Sequence, residues 1–279
     1  MRNTGFLFYK EYFKPLKFEN GKPKKLNFNN DDLYSLKLNY NVAELFSTED
    51  HFELATTYPG LLIGSGYNHE IGDQDNELKL GFFFDYTTGL PCIPGSSVKG
   101  VLRDACEKAE GKYALSIIND LSLGDRNAQK DNDKIKKSAK EFLKKYQAHF
   151  DPIDITKALS KKNPSHFINW VFNGIGIEGK NLPLKKRDIF FDAFPIDSQN
   201  ENGKFLANDY ITPHDNPLKN PVPIQFMKVL PQVTFQFSFR LSDEPFSKNI
   251  KLELFRQILL DLGVGAKTNV GYGQFKTNE

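Results

Sequence analysis

Two short segments of the sequence carry residues with which the chain could hold an anion. Near the C-terminal end, Gly263-Val264-Gly265-Ala266-Lys267-Thr268 opens a loop that continues through Asn269, Gly271 and Gly273. Glycine reaches backbone angles closed to other residues and lets another backbone approach closely. A lysine held in such a loop indicates a surface that meets phosphates. Residues 263–273 are called the glycine loop below.

The second segment, Gly95-Ser96-Ser97-Val98-Lys99-Gly100-Val101-Leu102-Arg103, is typical of the start of a helix. Ser96 or Ser97 is expected to cap the helix by accepting a backbone N–H bond, and a helix N-terminus favours anions. Lys99 and Arg103 are four residues apart, so they project from one helical face. Gly100 costs about 1 kcal/mol relative to alanine in a helix, which indicates close approach by another element.

Both segments also admit purely structural interpretations. Gly263 could simply end a helix, and Gly271 and Gly273 could permit a tight strand entry. The serine segment could be a capped, packed helix with two solvated cations. A nucleotide P-loop fits less well, because Ala266 stands where glycine is required and a strand, not a helix, is expected to follow.

Catalytic and metal-binding patterns are weaker. Ser97 lacks the glycine spacing of a nucleophile elbow. The five histidines show no paired spacing, so no metal and no cofactor are expected. RNA cleavage without a metal would need a general base, for which His69 is the best-placed candidate, followed by His214 and Asp85.

The composition is that of a globular protein, with 39% hydrophobic and 26% charged residues among 279 and a net charge of +2. No apolar run approaches the roughly 20 residues that span a bilayer, and the first residues lack a secretory signal. Cys92 and Cys106 are too few for a disulfide framework. We therefore expect a cytoplasmic protein without a membrane partner. Residues 130–145 hold seven lysines against three acids, which permits RNA binding without demonstrating it.

Hydrophobic periodicity predicts two strand-helix-strand units. The downstream unit has an alternating strand at 233–241, a helix at 249–262 and a strand at 269–275. The upstream unit has a strand at 52–58, a helix that follows Ser97 and a short apolar strand at 189–194, ended by Pro195. Joined end to end, the units predict an α+β fold of the ferredoxin-like class, which also underlies the common RNA-recognition module.

Three insertions interrupt the predicted domain, which runs from 51 to 279. The first, at about 67–92, contains a predicted strand at 78–86. The second, at about 111–186, is helical and rich in lysine. The third, at about 196–229, is rich in Pro, Asn and Asp and could form a projecting hairpin or long loop. Residues 1–50 form an N-terminal extension to which the sequence assigns no role.

Taken together, the motifs resemble the RAMP superfamily of CRISPR-associated RNA-binding proteins. The resemblance covers about residues 52–275. Three segments carry it: Gly60-Leu61-Leu62-Ile63-Gly64-Ser65-Gly66, the segment from Ile93 to Arg103, and the glycine loop. Within that superfamily, Phe190-Phe191-Asp192-Ala193-Phe194-Pro195 and Asp209-Tyr210-Ile211-Thr212-Pro213-His214 are similar to the sixth-subunit family of the Cmr module of type III-B effector complexes.

The resemblance implies a non-catalytic subunit that binds guide RNA in a ribonucleoprotein of antiviral defence, near the 3′ end of the guide. Target RNA and other Cmr-module subunits, especially neighbouring RAMP subunits, would be its partners. The third insertion could be the thumb-like hairpin that separates base-paired segments. The alternatives are a metal-independent endoribonuclease that processes CRISPR RNA, with His69 as base, and a scaffold that contacts only proteins. The RNA-binding residues implied are Gly64, Ser65, Gly66, Gly95, Ser96, Ser97, Lys99, Arg103, Gly265, Lys267, Thr268, Asn269, Gly271 and Gly273.

Overall fold

The computed structural model of the protein describes residues 3–38, 50–64, 74–126, 132–150, 165–212 and 223–278. Ser65, Gly66, His69 and His214 therefore lie outside the described residues. In chain order the elements are α1 (Thr4–Phe6), β1 (Phe18–Glu19), β2 (Lys22–Pro23), α2 (Asp31–Tyr34), β3 (Asp50–Thr56), α3 (Gly95–Glu107), α4 (Lys112–Leu123), α5 (Asn132–Tyr146), α6 (His166–Ile168), β4 (Ile189–Phe190), β5 (Phe194–Ser198), β6 (Leu206–Ile211), β7 (Ile224–Val229), β8 (Val233–Arg240), α7 (Lys248–Leu262) and β9 (Phe275–Thr277).

The largest sheet takes its strands from both predicted strand-helix-strand units. Its order is β4-β8-β3-β9, with β5 also paired to β8, and every pair is antiparallel. The alternating strand at 233–241 is confirmed as β8, and its Phe235, Phe237 and Phe239 are buried. The opposite face of β8 is covered as well, because Thr234 and Ser238 are also buried. The strand is thus a central one, not the half-buried strand that its pattern indicates.

Helix α7 confirms the predicted helix at 249–262 and packs its apolar face on this sheet. The ring of Phe255 in α7 lies 5.6 Å from that of Phe239 in β8. Helix α3 belongs to the same core through Val98 and Leu102, both buried. Both helices therefore pack into the core that contains the sheet.

The predicted strand at 269–275 is wrong in its position. Residues Thr268–Val270 form a 3-10 turn, and β9 begins only at Phe275. The glycine loop instead folds back on residues 60–62. The Gly273 N–H donates to the Gly60 carbonyl at 2.8 Å, and the Ala266 N–H donates to the Leu62 carbonyl at 2.9 Å. Because the backbone of the glycine loop pairs with this distant segment, the strand that local periodicity predicts at 269–275 does not form there.

The predicted strand at 189–194 is divided into β4 and β5, and Pro195 lies inside β5 instead of ending it. Between the two strands, Ala193 leaves β8 and exchanges two hydrogen bonds of 2.9 Å with Ile93. This exchange fixes the residues just before α3 against the sheet. The predicted strand at 78–86 is also wrong, since that stretch makes only isolated bridges such as Phe84 with Pro91.

The described parts of the insertions and of the N-terminal segment are ordered around this frame. The described residues of the region predicted as the second insertion contain α4, α5 and α6. In the third insertion β6 and β7 pair antiparallel from Leu206 opposite Val229 to Ile211 opposite Ile224. Residues 3–38 add Phe8 and other side chains to the main core. No helix among the described residues is long and apolar enough to cross a bilayer.

Candidate nucleic-acid interface

The segments that carry the three main motifs meet at one groove of about 400 Å³. Gly64, Ser97 and Gly265, one from each segment, line it together. The other lining residues are apolar: Ile63, Phe83, Ile93, Pro94, Val101, Val264 and Ala266. Among the described residues of the lining, Ser97 alone has a polar side chain. The structure thus brings the serine segment and the glycine loop to one face, but the groove between them is a surface for apolar or flat groups and not a phosphate cradle.

Most glycines of the glycine loop are explained by the protein's own backbone. A Cβ on Gly263 would lie 2.2 Å from the Gly273 carbonyl oxygen, and a Cβ on Gly265 would lie 2.5 Å from that of Leu62. Real Cβ atoms do not approach other atoms so closely, so no larger side chain fits at either position. The close backbone approach expected of these glycines is present, and the approaching backbone is that of the same chain.

Lys267 begins the outward-facing turn of the glycine loop. It has a positive φ of 59°, and its carbonyl accepts the Val270 N–H at 3.1 Å. Thr268 and Lys267 are half-buried, whereas Asn269 is exposed. The loop therefore presents a cation and polar groups on the side that does not pack on residues 60–62.

Neither Ser96 nor Ser97 caps α3, so the expected capping is wrong. The helix begins at Gly95, and the Gly95 N–H donates to Asp192 Oδ1 at 2.7 Å. Asp192 comes from the Phe190-to-Pro195 motif, which the sequence could not place beside the helix. A carboxylate is a strong partner for a helix N-terminus, and here it already occupies that position. The two serine side chains are exposed, so their hydroxyls face solvent.

Helix geometry puts the cations of α3 on a different flank from the groove. Ser97 and Val101 line the groove, and Lys99 is about 200° around the helix from Ser97. The Lys99 ammonium lies 5.8 Å from the centroid of the Phe190 ring. Burial, followed by the charge of Arg103, lowers the pKa of Lys99. Both residues lie in α3, so their four-residue spacing puts them on one helical face, as expected.

The exposed crest of α3 lies between these two flanks and carries Ser96 and Gly100. Among the described residues, no heavy atom outside the helix's own backbone lies within 4 Å of a Cβ built on Gly100. Contrary to expectation, the described part of the chain therefore supplies no element that approaches Gly100. Arg103 donates from Nε to Glu107 Oε1 at 3.1 Å, in an exposed pair worth little in stability. Its guanidinium can exchange that partner for another anion at small cost.

The β6–β7 hairpin is joined to the glycine loop by a polar cluster that sequence reasoning missed. Asp209 Oδ2 accepts hydrogen bonds from Tyr272 Oη at 2.7 Å and from Lys228 Nζ at 2.6 Å. Burial raises the pKa of Asp209, but the hydrogen bonds from Lys228 and Tyr272 outweigh it and hold the value below the ordinary range. The sequence shows Tyr272 between two glycines, but its hydrogen-bond partner Asp209 is 63 residues away, so no local pattern could identify the pair.

The candidates for catalysis gain no support from the described residues. His69 and His214 are outside them. Asp85 is engaged locally, since its Oδ2 accepts the Thr88 N–H at 2.6 Å and the Thr88 hydroxyl at 2.7 Å. Within the described ranges, no three His, Cys, Asp or Glu side chains are close enough together to hold a metal ion.

Comparison with known proteins gives a family match over most of the chain. The model of the RAMP superfamily matches residues 53–276. A curated relative, the CRISPR system Cmr subunit Cmr6 of Pyrococcus furiosus, is 28% identical over 210 residues. That alignment covers 67% of this chain and 58% of the relative, so the chain matches little more than half the length of that protein.

Three solved structures are similar in part. A chain of the cryo-EM structure of the Type III-B Cmr-beta bound to cognate target RNA is 23% identical with a TM-score of 0.48, covering 82% of this chain and 58% of that one. The crystal structure of Cmr6 from Pyrococcus furiosus is 22% identical with a TM-score of 0.38, covering 82% and 97%. A chain of a Type IV-B CRISPR complex is 13% identical with a TM-score of 0.39, covering 81% and 88%.

Proposed function

Because the chain belongs to the RAMP superfamily, we propose that it is a Cmr6-like subunit of a type III-B CRISPR effector complex and that it binds RNA without cleaving it. Its partners are then guide RNA, target RNA and other subunits of the Cmr module, in the cytoplasm. The observation that carries this proposal is the shared face on which the Gly64, Ser97 and Gly265 segments meet. The three segments that resemble the superfamily converge there, although they are far apart in sequence.

The proposed RNA path crosses α3 and then the glycine loop. An RNA backbone that contacts the Lys99 and Arg103 flank passes over the crest at Ser96 and Gly100. It then reaches the groove and continues toward Lys267. The apolar groove lies under this path, so phosphates meet cations at its two ends while flatter parts of the nucleotides cover the middle. Such contacts hold the strand without reading its sequence.

We further propose that residues 51–279 form a ferredoxin-like domain with insertions. The strand order supports this: β3 and β8 lie in the centre, with β9 beyond β3, and β4 and β5 beyond β8. The helices that follow β3 and β8, α3 and α7, belong to one core. We also propose that the β6–β7 hairpin is the thumb-like hairpin that separates base-paired segments of RNA. The Asp209–Tyr272 hydrogen bond joins this hairpin to the glycine loop.

Replacing both Lys99 and Lys267 by alanine tests the proposed phosphate contacts. We expect weaker binding of a single-stranded RNA by the full-length protein. A plot of log affinity against log salt concentration should become less steep by about 1.4, which is about 0.7 for each phosphate that no longer meets a lysine. Fluorescence anisotropy with a labelled oligonucleotide, repeated over a series of salt concentrations, gives both quantities.

The matched control is Lys24→Ala with Lys25→Ala, which removes the same charge from exposed positions outside the family match. We expect this control to keep the wild-type slope. Equal slopes for both double variants would contradict the proposed path. An RNA that is cut at specific sites in the presence of a chelator would instead support an endoribonuclease.

A Gly100→Ala variant should change stability and RNA binding in opposite directions. Alanine removes the helix cost of glycine, and its methyl group would meet no atom of the described residues, so the free energy of unfolding should rise by about 0.5–1 kcal/mol. The same methyl group stands on the crest over which the RNA is proposed to pass, so RNA affinity should fall. Urea unfolding and anisotropy measure the two effects. Unchanged affinity in a stabilised variant would show that the strand does not cross α3 at this point.

A further inference from the structure

An exposed tyrosine ring lies beside the glycine loop. Tyr58 exposes 85% of its surface, the largest fraction among the large hydrophobic side chains in the described part of the chain. Single exposed apolar residues are ordinary on protein surfaces, so exposure alone indicates no function. What distinguishes Tyr58 is how its backbone is held and what surrounds it.

The backbone on both sides of Tyr58 is hydrogen-bonded to Gly273, at the end of the glycine loop, and to the next residue, Gln274. The N–H and the hydroxyl of Thr57 both donate to the Gln274 carbonyl, at 3.0 and 3.2 Å. On the other side, the Gly60 carbonyl accepts the Gly273 N–H at 2.8 Å. The main chain is thus fixed while the ring stays in solvent. A flat partner that stacks on such a ring loses little affinity to the ordering of the protein.

The glycine loop beside this segment carries a second exposed apolar side chain and a cation. A Cβ built on Gly271 would lie 3.4 Å from Pro59 Cδ, so the segment that carries Tyr58 packs beside the part of the glycine loop that carries Val270. Val270 is 57% exposed, and its N–H closes the tight turn that begins at Lys267. We call Tyr58, Val270 and Lys267 the Tyr58 platform.

The chemistry of the Tyr58 platform suits a nucleotide. The face of an aromatic ring accepts any base, because every base has a π face, and a lysine in the adjoining loop suits a phosphate. The core of a protein–protein contact is by contrast depleted of lysine. We propose that Tyr58 stacks on an unpaired nucleobase of the RNA whose backbone crosses the glycine loop. This inference rests on the proposed RNA-binding function and adds a stacking contact between an aromatic ring and a base, which the cations do not supply.

The test compares two single-stranded RNAs of equal length, one ordinary and one with abasic ribose at every position, bound to the full-length protein. Wild type should prefer the ordinary RNA. Tyr58→Ala should weaken binding of the ordinary RNA about tenfold, the effect of removing one stacked base, and leave binding of the abasic RNA unchanged. Tyr58→Phe should keep the wild-type affinity, because the ring is retained.

The control is Phe18→Ala, which removes another exposed aromatic ring, 62% exposed, from the separate β1–β2 sheet. It should leave both affinities unchanged. Equal losses for ordinary and abasic RNA in Tyr58→Ala, or no loss at all, would overturn the stacking while the salt dependence on Lys99 and Lys267 still supports RNA binding. Wild-type protein that binds neither RNA would overturn the proposed function and the stacking together. Normal RNA binding by Tyr58→Ala with failed assembly of the complex would assign the ring to a protein partner.

Discussion

Replacing Gly273 by alanine is expected to lower the free energy of unfolding by about 3–4 kcal/mol, an effect near the upper end for single substitutions. A Cβ on Gly273 would lie 2.1 Å from the Val264 carbonyl oxygen, and the residue has a φ of +71°. The Val264 oxygen belongs to the backbone and cannot rotate away as a flexible side chain would. The loop must therefore open, which breaks the hydrogen bonds that Gly273 exchanges with Gly60 and Val264. Urea unfolding followed by circular dichroism measures the loss.

The matched control for this substitution is Gly179→Ala. Gly179 has a similar φ of +77°, but a Cβ there meets no atom within 4 Å in the part of the chain that the structure describes. Its replacement shows the cost of the positive φ alone, which is about 1–2 kcal/mol. If the two variants lost the same stability, the contact with Val264 would not be a source of strain. The difference between them measures the steric part, which is what makes glycine obligatory at 273.

A comparable loss, about 3–5 kcal/mol, is expected when Lys251 is replaced by methionine. The side chains of Lys251 and Asp188 are completely buried, and Lys251 Nζ lies 2.9 and 2.7 Å from the two carboxylate oxygens. Asp188 Oδ1 also accepts the Ser242 N–H at 2.7 Å. Without the ammonium, a carboxylate stays in the core with no cation, and this uncompensated charge is the reason for the loss.

The loss of unfolding free energy in Lys251→Met should be smaller at low pH. Burial raises the pKa of Asp188, and removal of the lysine raises it further because the attraction that lowers it is gone. An acid whose pKa is raised in the folded state stabilises that state below its unfolded value of 3.8 and loses this contribution as the pH rises through the folded pKa. Unfolding free energies measured from acid to neutral pH should therefore diverge from wild type as the pH increases.

Two further variants make this expectation specific. Lys251→Met combined with Asp188→Asn should recover much of the stability, because the amide is neutral and its oxygen still accepts the Ser242 N–H. Lys180→Met breaks an exposed pair with Glu178, both more than 80% exposed, and should change stability by about 0.5 kcal/mol or less. A double variant as unstable as the single one would contradict the explanation from buried charge.

Local patterns predicted the elements that depend on short-range order. The alternation of Phe235, Phe237 and Phe239 identified β8, and the helical spacing of Ile250, Leu254 and Ile258 identified α7 almost to the residue. Both patterns repeat within a few residues, and the structure buries the faces that they mark. The strand at 269–275 was wrong because its residues pair with a segment about 200 positions away, which no local period reports.

For the candidate site, the sequence supplied the segments but not their geometry. It identified the serine segment and the glycine loop, and the structure brings Ser97 and Gly265 to one groove. It assigned the α3 cap to a serine, whereas Asp192, 97 residues from Gly95, performs that role. It also gave no sign of the Asp209–Tyr272 bond, since both partners are of types that are common on surfaces.

The sequence by itself determined which residue types stand at which spacing, and thereby β8, α7 and the family to which the chain belongs. Only the tertiary structure decided which groups remain available to a ligand. Glycine is required at positions 265 and 273 because the carbonyls of Leu62 and Val264 approach too closely for a side chain. The flank of α3 on which Lys99 lies is fixed by the sheet below it. The physical reason is that secondary structure follows from contacts between near neighbours, whereas exposure depends on backbone and side-chain partners that are distant along the chain.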